Sequence, residues 1–440
     1  MNNPSMIAQP RVDVSSPKPS RVRYFMLFLV CILTAVNYLD RANLAVAAPV
    51  IQKQLNLSPI YMGFLFSAFA WTYAAMQIPC GFFLDRLGNR LTYSIALCGW
   101  SLCTCVLALC NNVAALIGTR CAIGFFEAPS IPTNSRIVTA WFPRRERGLA
   151  IGYYTGSEYV GLAFCTPFLT WLLVTFGWQS IFYVTGGLGL LLTVLWAAFY
   201  RDPKNSNHVN AAEMKLIKEG DGLADDLGSA RKFTLRHLIQ FFSYRQFLGL
   251  YIGQFSVSCT TWFFLTWFPS YLVTGKHLAI AKLGFYASIP FVGAIFGVLV
   301  GGKWSDWMIS KGYSVATSRK LPVIAGFLLS SLIIGANYAS SINGIIGFMT
   351  AAIFGQAIAS TVSWALFSEI APKDFMGLGG GALNFCSNLA SIVTPIVIGV
   401  IFSRTHSFAA ALVFVGAVAI CGALAYMFII GRVYRIEFEN

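Results

Sequence analysis

Residues 181–200 read IFYVTGGLGLLLTVLWAAFY, twenty residues without one charge. At 1.5 Å per residue such a helix is about 30 Å long, the thickness of a bilayer's hydrocarbon core. Residues 407–431 form a second run of this kind, and the pattern repeats along the chain. Of 440 residues, 57% are hydrophobic and 11% charged. A soluble domain carries about 25% charged residues, so this surface faces lipid. There every backbone group must be paired within a helix or a closed barrel. The runs are too long and too uniformly apolar for barrel strands.

The runs predict twelve helices at 24–49, 60–84, 91–110, 113–139, 148–173, 179–200, 245–273, 283–309, 321–340, 342–369, 376–403 and 407–431. They divide the chain into a tail (1–23), a six-helix bundle (24–200), a polar central loop (201–244), a second bundle (245–431) and a short tail (432–440). Residues 1–23 are polar and Pro/Ser-rich, unlike a signal peptide. Lysine and arginine set the orientation. Twenty-four of the 31 fall on the side of the termini and central loop, four on the other (Lys53, Lys276, Lys282, Arg404) and three within helices. Both termini are therefore expected in the cytoplasm, with the protein in the inner (plasma) membrane. The net charge of +14 then needs no nucleic acid partner. The eleven cysteines lie mostly in apolar runs and read as small packing residues, not as metal ligands.

The halves echo each other. Gly81-Phe-Phe-Leu-Asp85 ends helix 2 and Gly302-Lys-Trp-Ser-Asp306 lies near the end of helix 8. Pro143-Arg-Arg-Glu-Arg-Gly148 precedes helix 5 and Pro372-Lys-Asp-Phe-Met-Gly377 precedes helix 11. Two repeats with a ligand site between them are a transporter plan.

Charge inside a membrane is costly and marks function by default. Helix 1 carries Asp40 and Arg41, helix 4 carries Arg120, Glu127 and, near its end, Arg136, and helix 5 carries Glu158. Counting rise per residue, Asp40 and Arg120 lie roughly 13 and 10 Å from the outer ends of their helices, which allows them to pair. Glu127, two turns below Arg120, and Glu158 come out near the midplane. Arginine binds carboxylates bidentately and keeps its proton, which suits an acidic substrate. Low dielectric favours a neutral carboxyl, which suits proton exchange. The plainer role for each is helix pairing. The second half offers no ionisable group at this depth. It offers Gln254, Trp262, Ser363, Trp364, Asn384 and Asn388, and helix 2 adds Tyr73 and Gln77. No nucleophile elbow, phosphate loop or histidine cluster points to an enzyme, and no cofactor is expected.

Residues 81–90, GFFLDRLGNR, match the loop 2–3 signature of the major facilitator superfamily, through Gly81, Asp85, Arg86, Gly88 and Arg90. The signature's charges are expected to latch one bundle to its neighbour. Residues 37–48 (NYLDRANLAVAA), 67–86, 124–142 and 262–271 further resemble that superfamily's anion:cation symporter branch, and bacterial proton symporters of D-galactonate, glucarate and hexuronate most of all. The resemblance implies an all-α major facilitator fold and proton-coupled import of a sugar-acid anion by a monomer. It implies protonation at Asp40 and Glu127, with Arg120 as charge partner. It also implies substrate contacts at Arg41, Tyr73, Trp364 and Asn384. Glu158 departs from the family, which usually has glutamine there, and joins the substrate site as an added carboxylate. Alternatives at this point are another organic anion (a dicarboxylate or aromatic acid), sodium coupling, or a receptor that binds without transporting.

Overall fold

A computed structural model describes residues 19–77, 79–220, 222, 235–372 and 375–438. Most of the N-terminal tail and the stretch 223–234 of the central loop lie outside the described residues, as do Lys373 and Asp374 of the second repeat motif. The described chain is helical with no strand, and it forms two six-helix bundles.

Nine helices are by themselves long and apolar enough to cross a membrane, among the described residues. The other three crossings are helices 2, 4 and 7, and each is interrupted. Helix 2 runs Pro59–Met76 and resumes at Pro79. It turns into helix 3 at Gly88, whose φ of 71° is open to glycine at little cost. Helix 4 is split into Val113–Glu127 and Ser130–Trp141. Pro129 and Pro132 cannot donate backbone hydrogen bonds there, and Ser130 Oγ donates to the Glu127 carbonyl at 2.7 Å. Helix 7 runs Arg245–Thr266 and ends in a π turn, Tyr271–Gly275.

Glycines set the distances between helices. A Cβ on Gly124 would stand 2.1 Å from the Phe69 carbonyl, so helices 2 and 4 touch backbone to backbone. Gly161 meets the Ala35 carbonyl in the same way and draws helix 5 onto helix 1.

Among the described residues the two bundles pack most closely toward one face of the membrane. Near the start of helix 2, Gly63 lies against Pro395 and Ile396 of helix 11, and Gly399 lies against the Pro59 carbonyl. Gly284 of helix 8 packs on Pro167 and Thr170 of helix 5. Phe66 meets Trp267 edge-on at 5.3 Å. On the termini-bearing face the corresponding glycines, Gly148, Gly152, Gly156, Gly302, Gly377 and Gly381, have nothing within 4 Å of where a Cβ would sit. Phe82, Tyr153 and Phe385 are exposed there. The central cavity thus opens toward the termini and is sealed at the far face. A Cβ on Gly63 would already stand 2.7 Å from the Pro395 carbonyl. Gly63→Leu should therefore cost the sealed form about 1–3 kcal/mol, a population shift of about 5- to 150-fold. Spin labels at positions 53 and 404, at the far ends of helices 1 and 11, should move apart in this variant; an unchanged distance distribution would refute the steric seal.

A buried ionic clasp ties the central loop to the first bundle. The helix Ala211–Glu219 presents Glu213, which has no exposed surface. Its carboxylate accepts from Ser20 Oγ (2.5 Å), from the backbone N–H of Val22 and Arg23 (3.2 and 3.3 Å) and from Arg23 Nη1 (3.0 Å). Glu213 so satisfies the open N–H groups at the start of helix 1. Arg23 also pairs with Glu146 of helix 5 at 3.1 Å. Breaking a buried pair strands its partners, so Glu213→Ala should cost on the order of 3 kcal/mol, read as a lower unfolding midpoint in detergent.

Candidate functional site

Helices 1 to 6 converge on one polar cluster inside the first bundle. At its centre Arg41 meets Glu127. Arg41 Nε donates to Glu127 Oε1 at 2.7 Å, and Nη2 stands 2.7 Å from the same oxygen. Glu127 has no exposed surface, and its Oε2 has no hydrogen-bond partner among the described residues. The guanidinium also lies over the rings of Tyr38 (4.6 Å), Phe69 and Tyr73 (both 5.2 Å). The Gly124 contact and the break after Glu127 produce this arrangement, by pressing the end of the first helix 4 segment against Phe69 and Tyr73.

Asp40 points away from Arg41, since neighbouring helical residues project about 100° apart. Its carboxylate accepts from Trp100 Nε1 at 3.2 Å and from Asn43 Nδ2 at 3.1 Å. Asn43 in turn donates to Thr185 at 2.7 Å. The Asp40–Arg120 pair expected from depth is not formed. Arg120 makes no ion pair within 4 Å among the described residues; it is buried and lies over the Phe69 ring at 5.2 Å. It remains within electrostatic reach of Glu127, Arg41 and Asp40. Two side chains of one depth can still face different ways round their helices, and rise per residue does not report that angle.

Glu158 enters from helix 5, one turn from the Gly161 contact. It lies within hydrogen-bonding reach of the Tyr38 hydroxyl and within electrostatic reach of Arg41. Tyr38 thus stands between the second carboxylate and the arginine. The structure therefore brings together Asp40, Arg41, Tyr73, Arg120, Glu127 and Glu158. It does not bring Trp364 or Asn384 to them. Trp364 of helix 10 lies near Gly380 of helix 11 and is about two-fifths exposed. The backbone carbonyl of Asn384 accepts from Asn388. Both belong to the second bundle, which stands apart from the first on the open face.

Sequence reading missed four members: Tyr38, Asn43, Trp100 and Thr185. Asn43 had a signal, three residues from Asp40 on one helix face. Trp100 and Thr185 had none, being ordinary residues of apolar helices.

The loop 2–3 signature closes within its own bundle in this state. Asp85 pairs with Arg136 of helix 4 at 2.8 Å, and Arg90 Nε caps helix 6 at the Ala197 carbonyl at 3.1 Å. The expected latch between bundles is absent among the described residues. Asp306 of the second half likewise pairs with Arg319 of its own bundle, at 3.2 Å. Gly81 is unobstructed and Arg86 exposed.

A two-bundle membrane fold, with a buried arginine–carboxylate site in its first bundle and an opening to one side, is that of a transport protein and not of an enzyme. The Major Facilitator Superfamily profile matches residues 30–395, and the chain belongs to that superfamily. It is 42% identical to the D-galactonate transporter of Escherichia coli O6:H1, over 97% of this chain and 99% of that protein. It is 41% identical to the probable galactarate/D-glucarate transporter GarP of Escherichia coli K12, over 96% and 98%. Among solved structures, a bacterial homologue of the lysosomal transporter Spinster, inward-facing and unoccupied, aligns with TM-score 0.70 at 18% identity, over 93% and 95% of the two chains. A D-xylose–proton symporter aligns with TM-score 0.71 at 14% identity, over 93% and 98%. At these identities the solved structures speak for the fold alone.

Proposed function

We propose that this protein imports a sugar-acid anion together with protons, with both termini in the cytoplasm and the present state open inward. The observation that carries this reading is the Arg41–Glu127 pair, held by one glutamate oxygen while the other, fully buried, has no partner among the described residues. Full-length relatives named for galactonate and galactarate/D-glucarate support the substrate class.

The steps follow from charge. With Glu127 ionised, Arg41 is occupied by an internal carboxylate. A proton arriving at Glu127 neutralises that rival and frees the guanidinium for the bidentate carboxylate contact it is built to make. The substrate anion then replaces Glu127 at Arg41, beside the Tyr73 ring. Asp40, held by Trp100 and Asn43, is the second proton carrier, with Arg120 nearby to compensate its charge when it ionises. The loaded site carries less unpaired charge, which lets the bundles rock together around it. Trp364 and Asn384 approach the substrate when the open face closes, and supply an aromatic wall and an amide for its hydroxyls. Release of a proton to the less acidic cytoplasm lets Glu127 recapture Arg41 and expel the anion.

The test is uptake of labelled D-galactonate by the purified protein in proteoliposomes under an imposed inward proton gradient. Gradient-dependent, saturable uptake that a protonophore abolishes at constant sodium is the expected result. Uptake that follows sodium instead would overturn the coupling. Lack of uptake together with lack of competition by glucarate, galactarate and glucuronate would overturn the substrate class.

A further inference from the structure

Resting on the sugar-acid reading, we infer that Glu158 makes this carrier selective for monoacids, taking aldonates and rejecting the aldarates that carry a second carboxylate. Identity to the named relatives does not choose between these, at 42% and 41%. The charges around the cavity do.

Among the described residues two arginines are buried at substrate depth, Arg41 and Arg120, against the buried carboxyls Asp40 and Glu127 and the half-buried Glu158. Arg136 sits at the helix end and is engaged by Asp85. Arg120 is 3% exposed, and Phe69 lies between it and Arg41's side of the cluster, the ring being 5.2 Å from each guanidinium. One cation, Arg41, is left to meet a substrate carboxylate. At this depth the described residues of the second bundle bring amides and hydroxyls, with Gln254, Gln356 and Asn384 among them, and no lysine or arginine. The added ionisable group beside Arg41 is another acid, Glu158, across the Tyr38 ring.

An aldarate bound through Arg41 must bring its second carboxylate into this site uncompensated. Both ends are then poorly served. Toward helix 5 the second charge meets Glu158, and toward the second bundle it meets only neutral dipoles. A terminal CH2OH fits either place: its hydroxyl donates to the Glu158 carboxylate or exchanges hydrogen bonds with an amide. An unpaired charge closed away from water is far more costly than a hydroxyl with a partner.

D-galactonate and galactarate form a matched pair for the test, because they differ only in CH2OH or carboxylate at the far end. Each is titrated as unlabelled competitor against labelled D-galactonate uptake by the full-length protein in proteoliposomes at fixed pH. Galactarate should compete at least about tenfold more weakly than D-galactonate. Glu158→Gln should narrow that ratio to within about threefold, and Glu158→Asp, which keeps the charge, should preserve it. Equal competition by the two acids in the wild type would overturn the inference and leave sugar-acid transport standing, as would a ratio that Glu158→Gln does not move. If Glu158→Gln does not fold, the wild-type ratio and the aspartate variant still decide. Failure of D-galactonate itself to enter or compete would sink the sugar-acid reading and this inference with it.

Discussion

Glu127→Gln should abolish proton-driven accumulation while leaving exchange of internal for external substrate. Glutamine keeps the shape of the side chain and cannot ionise, so Arg41 loses the internal carboxylate that holds it at 2.7 Å. The guanidinium is then permanently available to substrate. In the wild type, binding should weaken as pH rises, because Glu127 loses its proton and reclaims Arg41. In the variant that part of the pH dependence disappears. The expected size follows from the proton's own free energy: about 1.36 kcal/mol per pH unit, or about tenfold accumulation per unit for each proton coupled. Substrate accumulation under a one-unit gradient, set beside counterflow at equal pH, separates the two effects. Accumulation that survives in Glu127→Gln would remove this residue from the coupling. Loss of counterflow along with accumulation would show that its role is structural.

Arg41→Lys should cost substrate affinity about 30-fold or more, although it conserves charge. Truncating one member of a buried charge pair typically costs about 2–5 kcal/mol. Lysine is a point charge without the planar fork that grips a carboxylate at two places. It also forfeits the flat face that Tyr38, Phe69 and Tyr73 sandwich at 4.6–5.2 Å. Titration of D-galactonate against tryptophan fluorescence in detergent reads the change directly. Affinity within threefold of the wild type would show that the anion is held elsewhere.

The architecture was legible because lipid leaves few alternatives: uncharged runs of about twenty residues must be helices, and paired motifs fix the repeat. What hydropathy could not show is where the helices break. Pro79 and Pro129 lie in apolar surroundings that read as continuous, yet the break after Glu127 is what points its carboxylate at Arg41. The site was legible by residue type and less so by partner. Depth along a helix ranked Asp40 and Arg120 as neighbours, whereas the angle round helix 1 decided that Arg41, one residue on, meets the helix 4 acid. Trp100, which holds Asp40, carried no mark in a helix of ordinary hydropathy. Trp364 and Asn384 lie on the second bundle, apart from the cluster in this state, and how two bundles stand to one another is not written in any local sequence.

The seal at the far face is built from Gly63, Gly399 and Gly284 against backbone, with Phe66 on Trp267. No ion pair crosses it among the described residues. Salt screens charges and leaves contacts of shape untouched. A carrier shut in this way closes equally well in dilute and in briny surroundings, so ionic strength reaches it only through what its cargo site binds.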